Sequence, residues 1–193
     1  MRKSRNIPLI LGICLILAGA LTLVGFQIQA KIAAREARAV YDQICALLPP
    51  RSPGITGLFS DPAMPVLELE ETDFCGVLEI PAYGVRLPIG NQWRGNATRK
   101  YPCRFQGSVY DSSLVIGSSD QEGQLNFCDR IDIGETVRVT DLMGMEFTFS
   151  VIRVDRRSSA DSSWLTESGT DLTIFVRDAT SLEYLALRCN ISQ

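Results

Sequence analysis

The sequence predicts a mainly β protein, a closed or nearly closed barrel of seven or eight short strands, preceded by a transmembrane helix. Two observations predict this fold: an uncharged N-terminal run of about 20 residues, and a series of short apolar or alternating segments from residue 75 onward. The 193 residues suffice for one domain of ordinary size. The chain contains no histidine, so it lacks the usual general base at neutral pH and the imidazole ligands of most catalytic zinc sites.

Residues 1–29 are predicted to form a cytoplasmic basic tip and a membrane anchor. Three cations precede an uncharged run from Ile7 to Phe26, which at about 1.5 Å per residue spans about 30 Å, the thickness of a bilayer core. The cations before the run predict a single pass with the N-terminus in the cytoplasm and the domain outside. A signal peptide cleaved before Ala30 is the alternative, although its apolar region would be long for that role.

Two segments connect the anchor to the barrel. Residues 30–48 are rich in alanine, lack glycine and proline, and predict a juxtamembrane helix that ends before Pro49. This helix could be a solvated stalk or a packed element, in which case one face would carry Ala33, Val40, Ile44 and Leu47. Residues 49–65 contain five prolines and two glycines and predict a linker. The barrel domain is therefore predicted over residues 66–193.

The barrel strands are predicted from period-two alternation and from short apolar runs. Gly84 marks a turn within residues 75–90, and Leu142-Met143-Gly144 marks a hairpin. The predicted strands cover 75–90 around the first turn, 113–117, 136–141, 145–155, 172–176 and 184–189. Only 124–131 and 158–165 are suited to short helices. The part of the chain after the anchor carries a net charge of about −6, which does not favour nucleic acid binding.

Five segments between residues 74 and 189 together resemble a sortase domain, and class B-like clostridial sortases in particular. They read GVLEIPAYGVRLPI, YPCRFQGSVYDSSLVIG, IGETVRVTDLMGMEFTFSVIRVD, DLTIFV and YLALRC. The resemblance implies a closed eight-stranded barrel and the activity of an extracytoplasmic cysteine transpeptidase of Gram-positive bacteria, which acts at the cell wall. In that family a cysteine at a strand end attacks a sorting-signal peptide, a histidine after an earlier strand is the acid and base, and an arginine on the last strand assists them.

Two of these three catalytic positions have changed. The nucleophile position falls on Arg177 in DLTIFVR, and the histidine position falls on Ser119 in LVIGSSD, whereas Arg188 retains the arginine. A nucleophile and its base act as a unit, so losing either typically costs orders of magnitude in rate. The resemblance therefore implies a pseudoenzyme, an inactive pseudo-sortase that serves as a binding or accessory module at the cell surface.

The changed positions suggest a ligand site. Arg177 and Arg188 are expected side by side on adjacent strands, beside Ser118 and Asp120. Two guanidiniums can hold a carboxylate or phosphate through paired hydrogen bonds. The expected partners are a surface protein, a sorting-signal-like peptide or a cell-wall carboxylate. In the inert alternative, Asp120 or Asp178 neutralises Arg177.

A surviving enzyme is the second alternative. It would be an active sortase-type cysteine transpeptidase, or another acyl-transfer enzyme, with Cys189 or Ser119 as a displaced nucleophile. Because successive side chains on a strand face opposite ways, Cys189 would point away from a groove that contains Arg188. An aspartate of ordinary pKa at Asp120 would be a poor base for the Ser119 hydroxyl.

Six cysteines raise the question of disulfides. Cys14 lies in the anchor, and the five that remain are an odd number, so at least one is free or bonds another chain. Cys45 is the cysteine expected to stay unpaired within the chain, and it could link two chains in a dimer. The four in the barrel allow three pairings, of which Cys75–Cys128 is favoured, and they could also all be reduced and buried: Cys75, Cys103, Cys128 and Cys189. No metal or cofactor is predicted, because the acidic segments lack a calcium-loop pattern and no CxxC pair occurs.

Overall fold

A computed structural model describes residues 7–57, 61–69, 72–93, 100–119, 124–125, 128–159, 161–167, 169–177 and 183–192. A long N-terminal helix, α1 (Ile7–Leu47), precedes a domain built mainly of strands. The strands are β1 (Ser52–Pro53), β2 (Leu67–Leu69), β3 (Thr72–Ile80), β4 (Val85–Gly90), β5 (Cys103–Gln106), β6 (Leu114–Ser119), β7 (Thr136–Asp141), β8 (Met145–Arg157), β9 (Leu172–Arg177) and β10 (Tyr184–Ile191). A short helix, α2 (Ser162–Thr166), lies between β8 and β9, and 3-10 turns occupy Pro81–Tyr83 and Cys128–Arg130.

Eight of the strands form a closed ring. Its order is β3-β4-β5-β6-β9-β10-β8-β7, and β7 closes it by pairing with both β8 and β3. The β4–β5 and β6–β9 pairs are parallel, and the other pairs in the ring are antiparallel. The strands β1 and β2 attach outside the ring, to β8 and β3. The expected closed eight-stranded barrel is confirmed.

The barrel core follows the alternation of the sequence. In the first half of β8, Met145, Phe147, Phe149 and Val151 are buried while the residues between them are only partly buried. The preceding turn is fixed by Asp141, whose Oδ1 accepts the backbone N–H groups of Met143 and Met145 at 2.8 Å each. Gly144 adopts φ 78° there, in the left-handed region that favours glycine. The predicted hairpin is therefore present.

Helix α1 continues without a break from Ile7 to Leu47, so the segments predicted as anchor and juxtamembrane helix form one helix. Its C-terminal part packs on β3 and β4 and contributes a buried face to the barrel core: Ala37, Val40, Tyr41 and Ile44. Leu47, expected on that face, is 61% exposed. The reason is the helical period of 3.6 residues, which leads from Ile44 to Leu48 rather than to Leu47; Leu48 packs against the core.

The N-terminal part of α1 exposes its apolar side chains, including Leu11, Leu15 and Leu21. It is long and apolar enough to cross a membrane, and it is the one such helix in the part of the chain that the structure describes.

The segment predicted as a linker makes specific contacts with the barrel. Its β1 pairs in parallel with the start of β8, and Met64 is buried. Arg51 donates to both carboxylate oxygens of Glu79 at 2.8 and 3.0 Å, and to Glu146 at 2.7 Å. The Tyr41 hydroxyl donates to the same Glu79 carboxylate. These bonds join the end of α1, the following segment and β3.

Candidate functional site on the outer face of the barrel

The candidate site lies on one outer face of the barrel, formed by β8, β10, β9 and β6. The side chains of this face point away from the main core: Arg153, Asp155 and Arg157 of β8; Tyr184, Ala186 and Arg188 of β10; Thr173, Phe175 and Arg177 of β9. Directly opposed residues on neighbouring strands lie on the same face of a sheet. At one end of the face, the register aligns Arg157, Tyr184, Arg177 and Ser119. We call this set the arginine row.

Arg177 ends β9 and is exposed. Its guanidinium carbon lies 5.8 Å from the centroid of the Tyr184 ring, a cation–π distance. The neighbouring β6 residue in register is Ser119. The two positions matched to the sortase nucleophile and histidine are therefore adjacent strand ends. Asp120 and Asp178 lie outside the described residues.

The expected clamp of Arg177 and Arg188 is wrong. In the β9–β10 hairpin Tyr184 pairs with Arg177, whereas Arg188 pairs with Thr173. The two arginines are thus offset by four residues, or about 13 Å along the strand direction. The register follows from the hairpin itself, because the residues nearest the loop must pair first.

Arg188 is instead a buried structural group, 1% exposed. Its Nε donates to Asp155 at 3.1 Å, Nη1 to the Thr173 hydroxyl at 3.0 Å and the Leu165 carbonyl at 3.2 Å, and Nη2 to the Trp164 carbonyl at 2.7 Å. Its guanidinium carbon is 4.9 Å from the Trp164 ring centroid. Burial lowers the pKa of Arg188, and Asp155 opposes that shift. Arg188 therefore holds α2 against the sheet.

An aromatic cluster covers the β6 side of this face. Trp93 lies against Phe175, with ring centroids 5.2 Å apart, and Phe105 completes the cluster at 5.6 Å from Phe175. The Trp93 ring sits directly over Gly117: an added Cβ there would lie 2.0 Å from its Cζ3 atom. Any side chain at position 117 would displace the indole, so glycine is what allows the Trp93 ring to lie against β6.

Ser118, expected beside the arginines, lies on the opposite side of β6. It is 5% exposed and its hydroxyl donates to Gln124 Oε1 at 2.9 Å. Because side chains alternate along a strand and the Trp93 ring covers Gly117 on the outer face, Ser118 points into the barrel. Its predicted role as a ligand-binding residue on the outer face is therefore wrong.

All six cysteines are free thiols in the structure, so none of the candidate pairings, including Cys75–Cys128, is formed. Cys189 is fully buried in the main core, on the other side of β10 from Arg188. Burial raises the pKa of Cys189 to about 12. The pKa values of Cys75 and Cys103 are likewise raised to about 12, chiefly by burial. These thiols are protonated at neutral pH and therefore poor nucleophiles.

Beside Arg188 an open cleft of about 440 Å³ lies between the outer half of β8 and α2. Its lining is Arg153, Val154, Asp155, Arg156, Arg157, Trp164, Glu167 and Arg188. This cleft was not predicted from the sequence. The signal was the alternation in IRVDRR, because a period of two puts Arg153, Asp155 and Arg157 on one face. Among the described residues, no group of three or more Cys, Asp or Glu side chains could hold a metal ion.

Comparison with known proteins gives a fold assignment. No protein-family model matches this chain, and no curated protein sequence matches it. Similar solved structures include a Clostridium perfringens sortase D5 transpeptidase, with a TM-score of 0.52 and 14% identity over 62% of this chain and 79% of that one. A Clostridium perfringens sortase C with the C-terminal cell wall sorting motif gives 0.55 and 16% over 63% and 72%. Sortase A from Corynebacterium diphtheriae gives 0.55 and 13% over 85% and 84%.

These similarities and the closed ring of strands define a class: the chain has the sortase fold. The structural relatives named here are sortases of classes A, C and D. The class B-like character suggested by the sequence segments remains a prediction.

Proposed function

We propose that this chain is a membrane-anchored pseudo-sortase, a binding or accessory module at the cell surface without transpeptidase activity. The observation that carries the proposal is the arginine row. It puts Arg177 at the strand end matched to the nucleophile and Ser119 at the neighbouring strand end matched to the histidine. The chain contains no histidine that could replace Ser119.

The state of the cysteines supports inactivity. A displaced nucleophile would have to reach the outer face as a thiolate, because the thiolate is the reactive form. Cys189 is the cysteine nearest in sequence to the retained arginine, but it faces the main core and its pKa is raised to about 12 by burial. Burial and protonation both weigh against a role for Cys189 as the attacking group.

The contacts of Arg188 support the same proposal. An arginine that assists a reaction must have N–H groups directed at the substrate. Arg188 uses four of its N–H groups within the domain, on Asp155, Thr173 and two α2 carbonyls. The residue that the sequence resemblance matches to the family arginine thus has a structural role.

The helix supports the proposed localisation. We place the apolar N-terminal part of α1 in the cell membrane as a single pass, with the N-terminus in the cytoplasm and the barrel outside. The length and composition of α1 suit a membrane span, and the cations before it favour this orientation. Partners of this module would be surface proteins or sorting-signal-like peptides, since one similar structure is a sortase C with a cell wall sorting motif.

A peptide-cleavage assay tests the absence of catalysis. The full chain in neutral detergent is incubated with sorting-signal peptides and an amine acceptor, and the products are identified by mass spectrometry beside an active sortase. We expect no cleavage above that of peptide alone. The variants Cys189→Ala and Ser119→Ala are run in parallel. Turnover by the parent chain that disappears in either variant would show a displaced nucleophile and contradict the proposal.

A further inference from the structure

The cleft between β8 and α2 concentrates positive charge in an acidic domain. Four arginines and two carboxylates line it, so its lining carries a net charge of about +2, whereas residues 31–193 together carry about −6. Repulsion among such closely spaced cations is reduced when an anion binds between them. The two carboxylates, Asp155 and Glu167, only partly supply that compensation.

The Trp164 ring contacts two of the arginines. Its ring lies 4.9 Å from the guanidinium carbon of Arg188 and 5.4 Å from that of Arg157. A guanidinium that contacts an aromatic ring through its face keeps its N–H groups for hydrogen bonds in its own plane. The Arg157 guanidinium makes no hydrogen bond or ion pair with any described residue, and the nearby charge of Asp161 acts on it only electrostatically. Its donors thus lie beside the Trp164 ring, and no described residue accepts from them.

Two further donors border the same cleft. Arg153 forms an ion pair with Asp155, with Nε 2.8 Å from Oδ1, and its Nη groups donate to no residue that the structure describes. Arg188 forms the inner wall, and four of its five N–H groups are used by described residues. The fifth, on Nη2, has no acceptor among the described residues. Donors from three arginines therefore border one cavity.

We propose that this cleft binds the phosphate group of a phosphate-bearing ligand, with Arg153 and Arg157 as the principal contacts. A single guanidinium satisfies one carboxylate through two parallel bonds, whereas several guanidiniums around one cavity suit the oxygens of a phosphate. The Trp164 ring, which contacts the guanidiniums of Arg157 and Arg188, forms the adjoining wall. The inference deepens the proposed binding role and rests on it, but its test uses a different ligand and a different signal.

Titration calorimetry of the full chain in neutral detergent with inorganic phosphate and glycerol 3-phosphate tests this site. We expect saturable binding by the parent chain and at least tenfold weaker binding by Arg157→Gln and Arg153→Gln, because each loses a charge-assisted contact. The matched control is Arg86→Gln, which removes the same charge from an exposed residue of β4, across the barrel. Its affinity should stay within about twofold of the parent. Thermal unfolding confirms that each variant is folded.

A second arm identifies the source of the phosphate. The full chain is placed in nanodiscs with and without phosphatidylglycerol, and the Nε–Hε resonance of Arg157 is followed by NMR. A shift that depends on this lipid and is reversed by inorganic phosphate assigns the site to a lipid headgroup; binding of soluble phosphate without such a shift assigns it to a soluble ester. Absence of saturable phosphate binding, or equal weakening in all three variants, overturns the proposal. Neither result bears on peptide cleavage, so the two proposals fail separately.

Discussion

Replacing Arg188 with glutamine distinguishes a structural arginine from one reserved for a substrate. Glutamine keeps one amide donor group but loses the charge and the planar guanidinium that reaches Asp155, Thr173 and the α2 carbonyls together. If Arg188 holds the fold together, the substitution must lower the free energy of unfolding. If the residue were kept for a ligand, its loss would leave stability nearly unchanged.

The expected cost can be worked from the contacts of Arg188. Removing one partner of a buried ion pair costs about 3–5 kcal/mol. The Asp155 side chain is 22% exposed and keeps its bond to Arg153, so it is not left as an isolated buried charge. We therefore take the lower end, about 3 kcal/mol. For a chain of this size that corresponds to a fall in melting temperature of about 6–12 °C.

The assay is thermal unfolding of the full chain in neutral detergent, followed by the fluorescence of Trp93 and Trp164. The control is Arg177→Gln, which removes the same charge from an exposed position of the same face and should change stability by less than about 0.5 kcal/mol. A loss below about 1 kcal/mol for Arg188→Gln, equal to that of the control, would refute the structural role.

Three further changes test other parts of the structure. Gly117→Ala should expel the Trp93 ring, because the new Cβ would lie 2.0 Å from it; the tryptophan emission should shift to the red and become easier to quench, and an unchanged spectrum would contradict the contact. Cys189 should resist alkylation in the folded chain at neutral pH, since it is fully buried with a pKa raised to about 12; rapid labelling would revive the enzyme alternative. The hydrogen bonds from Arg51 hold the pKa of Glu79 below its ordinary value, and burial opposes that shift. The Glu79 carboxylate therefore stabilises the folded state at neutral pH, and this contribution is lost as the pH falls from about 4.3 through the lowered folded-state pKa. Glu79→Gln should be less stable than the parent at neutral pH, and the difference in melting temperature should shrink in acid; a difference independent of pH would contradict this coupling.

The elements with the clearest patterns were predictable from sequence. The hairpin of β7 and β8 follows from alternation, because a strand with one buried face carries apolar residues at every second position. The turn at residues 142–144 follows from glycine and from the Asp141 side chain that caps it. The closed ring required the family resemblance as well, since pairing between distant strands such as β6 and β9 leaves no local signal.

The candidate site was predicted less well. The four-residue offset of Arg177 and Arg188 could have been derived from the ends of the two strands, because a hairpin pairs its loop-proximal residues first. The position of α2 over Arg188 could not have been derived from the sequence, because Arg188 donates to the backbone carbonyls of Trp164 and Leu165. Backbone acceptors are common to every residue type, so their positions depend on tertiary packing alone.

The unbroken α1 connects its apolar N-terminal part directly to the helical turns that pack on the barrel. Its last turns are part of the core, and Tyr41, Glu79 and Arg51 fasten them to β3. With its first half in a bilayer, as proposed, the length of the helix sets the height of the outer face above the membrane and its rotational orientation about the helix axis. Each residue inserted before Ala37 would raise the barrel by about 1.5 Å and turn it by about 100° about the helix axis. A partner attached to the same membrane would therefore meet the arginine row at a defined height and in a defined orientation.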